Sequence, residues 1–148
     1  IIDEAIQIMD LNELKNKLIN ELSGGQSQRA FLAMTIAQNT NILLLDEPTT
    51  FLDINYQIKF LESLKNLIQI KKLSIITVLH DINLAARFCD RIAILKDGKL
   101  IDINTPEKVL NKKNFMKGFE IDSHIIDTPV GIQIFPVSKT WHWFLSKK

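Results

Sequence analysis

Three groups of residues in this sequence have the types and spacing of a phosphate chemistry. Asp46 and Glu47 are adjacent acids that close an apolar run, Ile42-Leu43-Leu44-Leu45. His80-Asp81 closes a second run, Leu73 to Leu79, and Ser23-Gly24-Gly25-Gln26 opens a segment rich in alanine and large apolar residues that extends to Gln38. Successive side chains of an extended chain point to opposite sides, so two neighbouring acids do not readily chelate one ion. They divide the labour instead: one holds a magnesium ion, directly or through its waters, and the other orients and deprotonates an attacking water. At the start of a helix, free amides with the dipole behind them and a hydroxyl beside them form an anion site, and glycines let a phosphate approach the backbone. A lone Ser-Gly-Gly reads as an N-cap and a turn; the acidic strand that follows favours the phosphate reading.

Elements must hold these groups in place. Four apolar residues with a polar residue on either side predict a strand buried on both faces, the state of a central strand in a parallel sheet, and ligands of such sheets gather at the carboxyl ends of the strands. Pro48 has no amide proton for the ladder and stops the strand. Gln26 to Gln38, with Phe31, Leu32, Met34, Ile36 and alanines 30, 33 and 37, suits a well-buried helix. Asp53 can cap a further helix with an apolar stripe of Ile54, Ile58, Leu61, Leu64 and Ile68. Leu73 to Leu79, rich in β-branched residues, is the next buried strand and delivers His80 to its carboxyl end, where a histidine can read a phosphate.

The flanks are plainer. Ile2, Ala5, Ile6 and Met9 predict a short opening helix with Asp3 and Glu4 in its first turn, and a polar connection runs from Asp10 to Asn20. Beyond His80 come a helix near Ile82 to Phe88 and a third strand, Arg91 to Leu95. The Asp97-Gly98 step of a tight hairpin follows, then a returning strand from Leu100 to Ile103. Thr105-Pro106 starts the first of two short helices that end near Phe119. A last hairpin pairs Ile121–Asp127 with Ile132–Val137 around Pro129-Val130-Gly131. Trp141, Trp143, Phe144 and Leu145 form an apolar cluster in a lysine-flanked tail, read as packing on the domain or as unstructured, with contact to a partner or a lipid surface as the other reading. Cys89 reads as a structural thiol, and His124 and His142 carry no assignment.

Composition narrows the class. A length of 148 residues fits one domain with a real core, and 46% hydrophobic with 24% charged residues is ordinary for a soluble protein. A net charge of +1 gives no special attraction to nucleic acid or acidic lipid. No apolar run approaches the roughly 20 residues that span a bilayer, so a cytosolic protein is expected. A single cysteine makes no internal disulfide.

The stretches Leu22-Ser23-Gly24-Gly25-Gln26-Ser27-Gln28-Arg29, Ile42 to Pro48, Thr49-Thr50-Phe51-Leu52-Asp53 and His80-Asp81 resemble the signature motif, Walker B strand, D-loop and switch histidine of ABC transporter ATP-binding subunits, in that family's order. Ser27 stands where the family often has a basic residue. The resemblance implies an α/β fold, a P-loop NTPase-like partial domain with a mainly parallel sheet flanked by helices. Residues 1–40 would be part of the helical signature subdomain, 41–120 the catalytic core, 121–137 a C-terminal hairpin and 138–148 a tail. It also implies an upstream GxxxxGK phosphate loop and a glutamine loop. Neither occurs in these residues: the five glycines include none ahead of a Lys-Ser or Lys-Thr pair, so a fragment lacking the front portion is expected.

Further expectations come from the same resemblance. The cofactors would be ATP and Mg2+, in a head-to-tail dimer with a second ATP-binding subunit. Ser23, Gly24, Gly25 and Gln26 would bind the terminal phosphate held by the partner, and Asp53 would reach across the interface. Asp46 would position magnesium, Glu47 would be the general base and His80 would read the terminal phosphate. Hydrolysis would drive membrane permease subunits, a solute-binding protein would be engaged only indirectly, and no nucleic acid would be involved. The site of action would be the cytoplasmic face of the cell membrane. Thr49 to Asp53 and His80 to Arg87 are most similar to subunits that energise uptake of iron-siderophore, haem or cobalamin complexes. An ABC ATPase for another solute, a soluble ABC ATPase of translation or repair, and a catalytically incomplete regulatory module are the other readings.

Overall fold

Parallel pairing lays the two apolar runs side by side. In the computed structural model, which describes residues 1–50 and 52–137, strand β1 (Ile42–Asp46) pairs with β2 (Ser74–Val78) in the register Ile42 to Ser74, Leu44 to Ile76 and Asp46 to Val78. Between them runs α3 (Ile54–Lys71), and ahead of them α1 (Ile2–Ile8) and α2 (Gly24–Ala37). These elements make up one compact unit, Ile1–His80; the other is Asp81–Lys148. The single expected domain therefore carries two separate clusters of contacts.

The strands are not buried on both faces. Leu43 and Leu45 are buried, but Leu44 is 70% and Ile42 59% exposed, and on β2 Ile76 and Val78 are 63% and 52% exposed. A run of apolar residues does not specify what covers each side; with one side of the pair covered in this unit, the two-residue period leaves the other open. Paired residues share a face, so Leu44, Ile76, Val78 and Asp46 lie together on the open one. Leu44→Ala should accordingly change the unfolding free energy of this chain by no more than about 0.5 kcal/mol. The fully buried Leu67 of α3 gives the contrast, since Leu67→Ala should cost about 2–5 kcal/mol, both changes being read by urea titration of the chain.

The helices follow their local signals with narrower buried stripes than expected. On α2 only Leu32, Ala33 and Ile36 are buried, while Phe31 and Met34 are exposed, because a 3.6-residue period turns them off the inward face. On α3 the stripe is Phe60, Leu61, Leu64 and Leu67, and Ile54 is exposed. Asp53 Oδ1 accepts the Tyr56 amide at 3.1 Å, and left-handed Lys72 ends that helix. Arg29 on α2 donates to the carbonyls of Met9 and Asp10 at 3.2 and 3.3 Å, closing the end of α1. The polar connection contains two short 3-10 turns, Asn12–Leu14 and Ile19–Glu21.

The second unit holds α4 (Ile82–Phe88), the hairpin β3 (Ile92–Lys96) with β4 (Lys99–Asn104), α5 (Pro106–Val109), α6 (Lys112–Phe119) and the hairpin β5 (Asp122–Thr128) with β6 (Gly131–Val137). Both hairpins are antiparallel two-stranded sheets, so among the described residues the parallel pairing is confined to the two-stranded sheet β1–β2. Asp97 and Gly98 both take positive φ, 50° and 71°, as the tight turn requires. Ile94, Val109, Leu110, Phe115, Ile132 and Ile134 form this unit's core. The Asn83 side chain pairs with the backbone of Ile134 in both directions, donating at 3.2 Å and accepting at 2.7 Å. Cys89 is half-buried and His124 exposed; His142 and the aromatic tail lie outside the described residues.

Candidate active site

The carboxyl ends of β1 and β2 bring an acid and an imidazole together. After Asp46 the chain turns at Glu47, whose φ of 47° is left-handed and costs a residue with a Cβ about 1–3 kcal/mol. Pro48 follows, and the Thr50 amide closes the turn on the Glu47 carbonyl at 3.3 Å. Because β2 runs parallel with Val78 opposite Asp46, His80 leaves its strand at the same end. Its Nε2 lies 2.7 Å from Glu47 Oε1. The other carboxylate oxygen, Oε2, accepts from Thr50 Oγ1 at 3.3 Å. Both partners remain accessible, with Glu47 and His80 side chains 40% and 71% exposed. Asp46 is exposed beside them, with no share in these two contacts.

The glycine segment forms a second, separate feature. Ser23 caps α2: its Oγ accepts the Gln26 amide at 3.4 Å, while Gln26 Oε1 accepts the Ser23 amide at 3.0 Å, a reciprocal capping box. Capping and anion binding are compatible here. The box engages the Ser23 and Gln26 amides, whereas those of Gly24 and Gly25 belong to the first turn and have no carbonyl one turn earlier. Ser23 and Gly24 are exposed. A methyl group at Gly25 would sit 3.4 Å from Leu52 Cδ2, in ordinary contact; at Gly24 it would meet nothing within 4 Å. Packing within the chain therefore gives no reason for glycine at 24. No hydrogen bond between the described residues joins Ser23, Gly24 or Gln26 to Asp46, Glu47 or His80.

Asp53, expected at an interface, is engaged as the N-cap of α3 and stays exposed. Among the described residues no group of three or more His, Cys, Asp or Glu converges on one point. One exposed carboxylate, Asp46, nevertheless fits a magnesium ion that takes its remaining ligands from phosphates and water. A cleft of about 400 Å³ lined by Met9, Asp10, Arg29, Tyr56 and Lys59 lies elsewhere, with neither Glu47 nor His80 in its wall. Thr50 and Gln28, quoted above only within their motifs, and Gln57 received no role from the sequence. Gln28 donates to the Pro48 carbonyl, and Gln57 to those of Thr49 and Leu52 at 3.0 Å each.

With this geometry in place, comparison with known proteins is direct. The ABC transporter family profile matches residues 1–50. The petrobactin import ATP-binding protein FpuC of Bacillus anthracis is 48% identical over 124 residues, covering 82% of this chain and 46% of that protein. The chain belongs to the ABC transporter ATP-binding family. Its fold is that of the ABC ATPase domain, of which it is a part. The solved structure of an inward-facing, metal-chelate type ABC transporter superposes with a TM-score of 0.82 at 24% identity, over 95% of this chain and 58% of the other. The dimeric bacterial ABC transporter cassette MJ0796 superposes with a TM-score of 0.64 at 37% identity, over 71% and 45%. This ABC chain spans about half the length of the curated relatives it matches. Among its described residues no helix is long and apolar enough to cross a membrane.

Proposed function

We propose that these residues are the signature-bearing portion of an ATP-hydrolysing subunit of an ABC importer. Its cargo class would be iron-siderophore, haem or cobalamin complexes. The observation that carries the reading is the Glu47 to His80 contact of 2.7 Å at the carboxyl ends of two parallel strands. Glu47 takes the proton of the attacking water, and His80 holds both the Glu47 carboxylate and, in the closed state, the terminal phosphate of ATP. Asp46 would hold magnesium, which neutralises the developing phosphate charge. Ser23 with the Gly24 and Gly25 amides receives the terminal phosphate of a nucleotide bound by a second subunit, supported by the Gln26 capping box, and Asp53 faces that subunit. The dimeric state of the MJ0796 cassette supports this pairing, and the petrobactin relative supports the cargo class. Permease subunits in the membrane would receive the motion, with this subunit on the cytoplasmic face and the solute-binding protein engaged only through them. The open face of β1–β2, with Leu44, Ile76 and Val78, would be covered by the rest of the cassette.

Gly24→Ala tests the phosphate cradle. Alanine favours a helix over glycine by up to about 1 kcal/mol and meets nothing here, so the chain's stability should hold or rise. In a complete cassette, made by joining residues 1–148 behind the preceding half of FpuC, the same change should weaken ATP-driven dimerisation by about tenfold or more, as read by light scattering. Dimerisation equal to the parent would remove Gly24 from the site.

A further inference from the structure

Two glutamines grip the segment between Glu47 and Asp53 from different helices. Gln28, on α2 a little over one turn beyond the Ser23 cap, donates Nε2 to the carbonyl of Pro48, the residue after Glu47. Gln57, at the start of α3, donates to the Thr49 and Leu52 carbonyls at 3.0 Å each. Pro48 and Thr49 are buried, so their carbonyls depend on such donors. Gln28 Oε1 is itself buried and has no partner among the described residues. An unmatched buried acceptor is costly, and an apolar side chain of the same length would avoid it; the amide at 28 is explained by what its nitrogen does. Beside it, Leu52 is placed to touch any side chain carried at Gly25.

We propose that Gln28 is a positioning residue that joins the signature helix and the Glu47 turn into one rigid piece, with Gln57 as its counterpart on α3. The proposal rests on the reading of Glu47 as general base. Its consequence is mechanical. Ser23 serves a nucleotide held by the second subunit and Glu47 one held by its own, so closure at one nucleotide sets the base for the other.

The test uses Gln28→Met and Gln28→Glu, both of similar length and both without an amide donor, with thermal unfolding to show that each folds. In the 148-residue chain, hydrogen exchange at the Thr50 and Leu52 amides, which bond to the Glu47 and Thr49 carbonyls, should quicken about tenfold or more while exchange in β1 and the middle of α3 is unchanged. In the joined cassette, kcat should fall about 10- to 100-fold, with the KM for ATP within about twofold of the parent. Exchange that quickens uniformly, or not at all, reduces Gln28 to a packing residue and overturns the proposal, as does an unchanged kcat. Gln57→Met provides a third variant should both changes at 28 unfold the chain, and unchanged exchange at Thr50 and Leu52 there overturns it equally. A Glu47→Gln cassette run in parallel separates the two readings: if it keeps its turnover the base assignment fails, whereas if it loses turnover and the Gln28 variants do not, the positioning role fails.

Discussion

Glu47→Gln in the joined cassette is expected to bind ATP at least as well as the parent and to lose about 100- to 10,000-fold in turnover, the usual contribution of a general base, or roughly 3–5 kcal/mol. The substitution isolates charge from shape. Glutamine carries the same Cβ into the left-handed position, so the backbone cost at φ 47° is unchanged. Its amide oxygen can still accept from Thr50 Oγ1 or His80 Nε2, which now sit at 3.3 and 2.7 Å from the carboxylate. What disappears is the ability to take a proton and one negative charge next to a polyanion, and the second loss favours ATP. Turnover is read from phosphate release and binding from a fluorescent ATP analogue. Unchanged turnover would move the proton acceptor elsewhere, and His80, 2.7 Å from the Glu47 carboxylate, would be the next residue to change.

That pairing was legible only in part. The apolar runs fixed two strands, and the rule that ligands gather at carboxyl ends placed Glu47 and His80 on one rim. Their direct contact follows from the parallel register of Asp46 with Val78, which neither run encodes by itself. The turn at Glu47 was not visible, because αL is disfavoured for glutamate and no nearby glycine or asparagine announced it. Ser23 showed the opposite limit: the pattern Ser-x-x-Gln reads as a capping box and as a phosphate cradle, and the structure contains the box. The space beside Gly24 is open, a tertiary fact that leaves room for the cradle proposed above and that the pattern alone does not carry. Gln28 and Gln57 escaped attention because glutamine on a helix is usually a solvated residue; their value lies in carbonyls twenty and five to eight positions away. The open side of β1–β2 was misjudged for a related reason. Ile42 and Leu44 are apolar as a buried strand requires, and the layer that would cover them is not encoded in the run itself.

The same open face bears on the second large effect. The 148 residues by themselves are expected to bind ATP no better than millimolar. In the proposed function the groups placed here would meet only the far end of the nucleotide: Asp46 through magnesium, Glu47 through water, His80 at the terminal phosphate. Asp46 and Glu47 are acids, which repel phosphate when no metal lies between. A GxxxxGK loop would add about four charge-assisted hydrogen bonds at about 1.5 kcal/mol each, or roughly 6 kcal/mol and four decades of affinity. Joining the preceding half of FpuC should therefore take the dissociation constant from millimolar or weaker to micromolar or better, measured by calorimetry with and without magnesium. If that half also packs on the β1–β2 face, Leu44→Ala, expected to be nearly silent in the chain alone, should become costly in the joined protein by about 2 kcal/mol or more. The two measurements are independent. Affinity gained without a new cost at Leu44 would mean that the added half supplies its loop but does not cover the sheet, and micromolar binding by the 148 residues alone would mean that they hold a nucleotide site of their own.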